Sequence, residues 1–91
     1  MKTLQLIISG KVQGVSYRYW FSTTAQQLGI QGWVRNLSNG NVEAVIQGEE
    51  QSLKALIESA HEGPTLASVD EIVQQESSAT NLNGFEILAT K

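Results

Sequence analysis

The stretch Gly10-Lys11-Val12-Gln13-Gly14-Val15-Ser16-Tyr17-Arg18 holds the residue types from which an anion-binding site is made. Glycine lets the backbone turn and approach a ligand closely. If a helix begins at the end of this stretch, its first N–H groups have no carbonyl partners and point at whatever lies ahead of them. The Arg18 guanidinium adds a fork of donors that matches two oxygens of one phosphoryl group. The chemistry of such a set is the retention of phosphate by backbone amides and one cation. On the same residues, a plain strand-to-helix turn with a structural arginine is the competing reading. Asn36 is the second candidate. Asparagine at a strand end is often turn chemistry, but its amide can also accept from and orient a water without titrating.

Other chemistries lack their parts. His61 is the only histidine, and it falls in the last turn of a helix, where a cation near the C-terminus is explanation enough. There is no cysteine, hence no disulfide framework, thiolate zinc site or cysteine nucleophile. No pair of carboxylates lies near the glycine loop, and the acids are not spaced as metal ligands, so neither a metal nor a cofactor is expected. The loop lacks the terminal Gly-Lys-Ser/Thr of a Walker A motif, and its glycines are four apart, unlike a dinucleotide fingerprint. Asn36-Leu37-Ser38 matches a glycosylation acceptor, read here as chance because no secretion signal accompanies it.

These residues need elements to hold them. Leu4, Leu6 and Ile8 alternate with polar neighbours, the period of a strand. Tyr17, Trp20, Phe21, Thr24, Ala25 and Leu28 follow helical spacing up to Gly29. Ile30 to Arg35 reads as a second strand, joined through Asn39-Gly40 to a third built on Val42, Ala44 and Ile46; Asn-Gly between alternating runs is a hairpin signal, because both residues tolerate positive φ. Glu49 and Glu50 open a second helix with the stripe Leu53, Leu56, Ile57 and Ala60, stopped by Gly63-Pro64. Val69, Ile72 and Val73 give a fourth strand. After a loop over 77–83, Phe85, Ile87 and Ala89 give a short last one. The order β-α-β-β-α-β plus a tail strand predicts an α+β ferredoxin-like sandwich. Both helices would lie on one face of an antiparallel sheet, whose other face stays partly solvated.

The 91 residues fit one domain, 1–91, with one core. No apolar run approaches a membrane span, and no cleavable leader is evident, so a cytoplasmic protein without a membrane partner is expected. A domain this small without a surplus apolar stretch suggests a monomer. The net charge of −3 argues against nucleic-acid binding. Lys11, Arg18 and Arg35, half of the six basic residues, lie in or beside the two candidate stretches, as a small anionic ligand would require.

The two stretches also resemble a known family. Gly10 to Arg18 meets the acylphosphatase pattern G-x-V-Q-G-V-x-[FY]-R in full. Gly32, Trp33, Val34, Asn36, Gly40, Val42 and Gly48 meet its second pattern, and Gly63-Pro64, Ala67 and Val69 are similar to its segment after the second helix. The resemblance covers nearly the whole chain. It implies a ferredoxin-like fold and hydrolysis of the carboxyl–phosphate bond of a small-molecule acyl phosphate, giving a carboxylate and inorganic phosphate. It further implies that Arg18 binds the phosphoryl group with the amides of Val12, Gln13, Gly14, Val15, Ser16, Tyr17 and Arg18, that Asn36 orients the attacking water, and that no metal is needed. Ser16 stands at the variable position, where its hydroxyl can add a donor or cap the helix. The tail, Ile87-Leu88-Ala89-Thr90-Lys91, departs from the aromatic ending of many members, which puts the packing of the last strand in question. An RNA-binding module on the same scaffold would carry a basic sheet face with an aromatic run, absent here. A phosphate sensor that binds without hydrolysing would use the same loop.

Overall fold

Each apolar period becomes the element it specifies. A computed structural model describes residues 1–91: β1 (Lys2–Lys11), α1 (Tyr17–Gln27), β2 (Gln31–Asn36), β3 (Val42–Gly48), α2 (Glu50–Glu62), β4 (Ser68–Glu76) and β5 (Phe85–Ile87). Tyr17, Phe21 and Ala25 of α1 and Leu53, Leu56 and Ala60 of α2 sink into one core with Leu6, Ile8, Val34, Ala44 and Ile46 of the sheet. Full burial of each large apolar side chain contributes about 1.5–3 kcal/mol, enough to hold helices that would be marginal alone. No helix is long and apolar enough to cross a membrane.

The sheet order is β4-β1-β3-β2-β5. β3 is antiparallel to both β1 and β2, and β5 runs parallel to β2. β1, β2 and β5 therefore point the same way and end at the same edge of the sheet, where α1 begins. This is what brings the two candidate stretches together. β5 makes the sheet mixed rather than antiparallel throughout, because the chain crosses from β4 at one edge to the other edge before it pairs. β5 also stops at Ile87, short of Ala89. Phe85 anchors it in the core, its ring 5.8 Å from that of Phe21. The tail follows β2 through single backbone bonds, in which the N–H of Leu88 donates to Val34 O (2.9 Å) and that of Lys91 to Asn36 O (3.0 Å).

Two expectations need revision. The sheet face away from the helices is less solvated than alternation suggested, for Glu43 and Val45 in the middle of β3 are both buried. Glu43 is enclosed by its own partners: Arg35 donates to it at 2.8 Å and Gln5 at 2.6 Å, and the Arg35 guanidinium lies 4.6 Å from the centre of the Trp33 ring. Nor does the hairpin turn on two residues of positive φ. Gly40 alone has one, because Asn39 spends its side chain accepting from the N–H of Asn41 (3.0 Å), and the loop closes from Leu37 N to Asn41 O (2.8 Å).

The first glycine of the loop motif serves the sheet. Gly10 (φ +123°) lies where the β1–β4 register shifts, and a Cβ there would sit 2.3 Å from the Ser68 carbonyl oxygen. Backbone cannot yield as a flexible side chain would. Gly10→Ala should therefore destabilise the protein by about 2 kcal/mol or more in urea unfolding; an unchanged midpoint would contradict the bulge.

Candidate active site

After Lys11 the chain leaves the sheet and curls beside the start of β3 before α1 begins. Two residues in this curl adopt left-handed conformations, Gly14 (φ +73°) and Ser16 (φ +65°). Glycine adopts that region freely, whereas serine does so at a cost of about 1–2 kcal/mol. Left-handed residues set among right-handed ones can turn successive N–H groups toward one side, the geometry of an anion-binding nest. Ser16 is the N-cap residue of α1, but its hydroxyl makes no capping bond, contrary to one of the two roles expected for it. No acidic residue sits in the first turn either. A helix start with neither a capping side chain nor a carboxylate retains its free donors and its positive dipole end.

Val12, Gln13, Gly14, Ser16, Tyr17 and Arg18 line one cleft of about 300 Å³, and Asn36 reaches it from the end of β2. Val15, included in the expected loop, turns its side chain into the core and contributes only backbone. Arg18 is half-buried and has no carboxylate partner. Arg35, expected to share in a local gathering of positive charge, faces the other side of the sheet and is neutralised by Glu43 at 2.8 Å. Asn36 is one residue further along β2 and so faces the helices. Its Oδ1 is buried and accepts no hydrogen bond. An unpaired buried acceptor costs about 1–3 kcal/mol. An amide held by no bond through its oxygen can turn about Cβ–Cγ to present that oxygen to a donor in the cleft.

Three supports of the cleft were not legible in the sequence. The Gln13 side chain donates to the carbonyls of Leu37 and Asn41, both at 2.8 Å, and so ties the curl to the neck of the β2–β3 hairpin beside Asn36. The tail closes on the same hairpin, with the N–H of Ser38 donating to Lys91 O (2.9 Å). Tyr17 borders the cleft, but its side chain is buried in the core. Its hydroxyl donates to Ala60 O of α2 at 2.7 Å, its ring packs beside Trp20 and Phe21, and burial pushes its phenol well above the ordinary value. That bond clamps the first residue of α1 to the second helix. A long amide side chain set between Val12 and Gly14 was the available signal for Gln13. The tail contacts had none.

The protein is similar to known ones over most of its length. The acylphosphatase family model matches residues 4–87. The acylphosphatase of Marinobacter nauticus is 56% identical over 75 residues, 82% of each chain, and that of Acaryochloris marina is 48% identical over 93% of this chain and 91% of its own. The crystal structure of acylphosphatase from Bacillus subtilis superposes with a TM-score of 0.92 at 31% identity, covering 97% of this chain and 99% of that one.

Two measurements check these supports. Leu37 O and Asn41 O each keep one backbone donor when Gln13 is removed, so Gln13→Ala should cost only about 1 kcal/mol in urea unfolding while amide exchange around the hairpin speeds up. Unchanged exchange there would contradict the tie. Tyr17 holds its proton more tightly folded than unfolded, so its contribution is complete below the ordinary value of 10.0 and is lost as pH rises beyond it. Stability should fall above pH 10 by up to about 1.4 kcal/mol per unit from this group, and Tyr17→Phe should flatten that slope; identical slopes would contradict burial of the phenol.

Proposed function

The chain belongs to the acylphosphatase family and is an acylphosphate hydrolase; within that activity we propose that loop amides and Arg18 hold the phosphoryl group while Asn36 aims the water. The observation that carries this reading is the buried, unpartnered Oδ1 of Asn36, a residue that lines the same cleft as Arg18 and the uncapped start of α1. A pure phosphate sensor has no use for it.

In the proposed reaction the substrate enters as R–CO–O–PO₃²⁻. Its phosphoryl oxygens accept from the N–H groups of the curl and of the first turn of α1, and from the two arms of the Arg18 fork. Asn36 turns its amide oxygen into the cleft and accepts from a water in line with the scissile P–O bond. The water oxygen bonds to phosphorus as the P–O bond to the acyl group breaks, and the carboxylate leaves with the electron pair. The proton of the water passes to a phosphoryl oxygen, giving inorganic phosphate. A carboxylate is a good leaving group, so the transition state is loose and asks little of a protein base. Fixed donors and an aligned nucleophile supply what remains. The uncapped helix start and the strained Ser16 are preorganised costs already borne by folding, so the donors need not reorganise during reaction. We further read residues 1–91 as one domain acting on a small molecule, as a monomer in the cytoplasm, with no nucleic-acid or membrane partner.

Phosphate release from a synthetic acyl phosphate tests this assignment. Arg18→Ala should lower kcat/KM by at least roughly 10²-fold, the scale of losing one transition-state donor. Arg18→Lys should fall nearly as far, since a point charge cannot reproduce the fork. Asn36→Ala should lower kcat while inhibition by inorganic phosphate persists. Near-normal activity in Arg18→Lys would rule out bidentate holding. Equal loss of phosphate affinity and turnover in Asn36→Ala would rule out its part with the water.

A further inference from the structure

We propose that Tyr19 and Ile87 form a subsite for the acyl group and select acyl phosphates whose acyl part is apolar and large, aromatic above all, over those as small as acetyl phosphate. This rests on the hydrolytic reading above and concerns the end of the substrate that the phosphate machinery does not touch.

Five large hydrophobic residues are exposed: Met1, Leu66, Val73, Tyr19 at 72% and Ile87 at 44%. Single exposed hydrophobics are normal on a soluble protein. Two of these five, however, line the one cleft that also contains Arg18 and Asn36. They come from different elements, the first turn of α1 and the last residue of β5, whose ends meet where the same-direction strands stop. The other apolar residues lining the cleft, Val12 and Tyr17, are fully buried and belong to the core. Tyr19 and Ile87 are thus the apolar surface of the cleft that water still reaches.

Tyr19 has no structural employment. Its ring takes no part in the aromatic cluster of Tyr17, Trp20, Phe21 and Phe85, and its hydroxyl makes no hydrogen bond within the protein. Tyrosine is also a poorer helix former than the Lys, Glu or Gln that would otherwise suit an exposed position in a first turn. An acyl phosphate is charged at one end and commonly apolar at the other. With the phosphoryl group held by amides and Arg18, the acyl part must project past these donors, and a cleft of about 300 Å³ leaves room for it beside the two side chains. An aromatic acyl group can lie against the Tyr19 ring and displace water from both surfaces. An acetyl group is too short to cover either side chain to the same extent. The contact forms equally in ground and transition states, so its effect belongs in KM.

The experiment compares kcat/KM for benzoyl phosphate and acetyl phosphate in the wild type, Tyr19→Ser, Tyr19→Phe and Ile87→Ser. Tyr19→Ser should lower the benzoyl-to-acetyl ratio by roughly tenfold, mainly through KM. Tyr19→Phe should keep the wild-type ratio, since the ring and not the hydroxyl makes the contact. Ile87→Ser should move the ratio in the same direction as Tyr19→Ser, and its urea midpoint separates this from a loosened β5. An unchanged ratio in Tyr19→Ser, or an equal fall for both substrates, overturns the subsite while leaving the hydrolase intact. A wild type that releases phosphate from neither substrate overturns the hydrolytic reading itself, and this one with it.

Discussion

The cleft depends on one side chain. Gln13 donates both hydrogens of its amide to carbonyls at the neck of the β2–β3 hairpin, those of Leu37 and Asn41. The curl after β1 and the end of β2 are otherwise separated by the width of β3, since β1 and β2 pair with opposite edges of that strand. The bridge crosses that gap. It brings a run of backbone donors to the same place as the Asn36 amide. Neither half contains a titrating group that needs tuning, so what the fold must provide is relative position, and Gln13 provides it at the shortest range. The bond from Tyr17 to Ala60 O does the same for the start of α1, from the opposite side.

Around that bridge the protein keeps several features that stability alone would remove. Ser16 holds a left-handed conformation, α1 begins without a cap or an acidic residue, Arg18 has no carboxylate, and Asn36 Oδ1 has no donor. Elsewhere two of these needs are met: Arg35 has Glu43, and α2, which also lacks a side-chain capping bond, has Glu50 in its first turn. These four departures from local rules meet at one end of the sheet, the kind of strain that a binding site retains. Each departure leaves a donor, an acceptor or a charge free for a ligand, and together they match the needs of a phosphoryl group and a water.

The elements were legible because their signals are local. Period-2 alternation in Leu4 to Ile8 and helical spacing from Tyr17 to Leu28 each specify an element without reference to the rest of the chain. That Arg18 and Asn36 line one cleft agrees with what residue type and the pattern around them suggested. What escaped was set by distant partners. Glu43 looked like a solvated strand residue, yet neighbouring strands bring Arg35 and Gln5 over it. Gly10 looked like part of a phosphate loop, but the close passage of Ser68 makes it part of the sheet. One local feature escaped as well: Asn39 and Gly40 both tolerate positive φ, yet Gly40 alone adopts it, because the Asn39 side chain accepts from the N–H of Asn41. The parallel pairing of β5, and the bonds from Lys91 to the hairpin beside Asn36, depend on where an irregular crossing delivers the chain, which no periodicity encodes.

In the proposed reaction this end of the sheet, and no other part of the surface, holds the phosphoryl group through backbone amides and Arg18. Titration of isotope-labelled protein with inorganic phosphate, followed by amide and arginine side-chain resonances, tests it most directly. The largest shifts should fall on the amides of Gly14, Val15, Ser16, Tyr17 and Arg18 and on the Arg18 guanidinium, with the Asn36 side-chain amide moving alongside them. Shifts concentrated at Arg35 on the opposite face of the sheet, or in the second cleft beside α2 near Lys54 and His61, would contradict it.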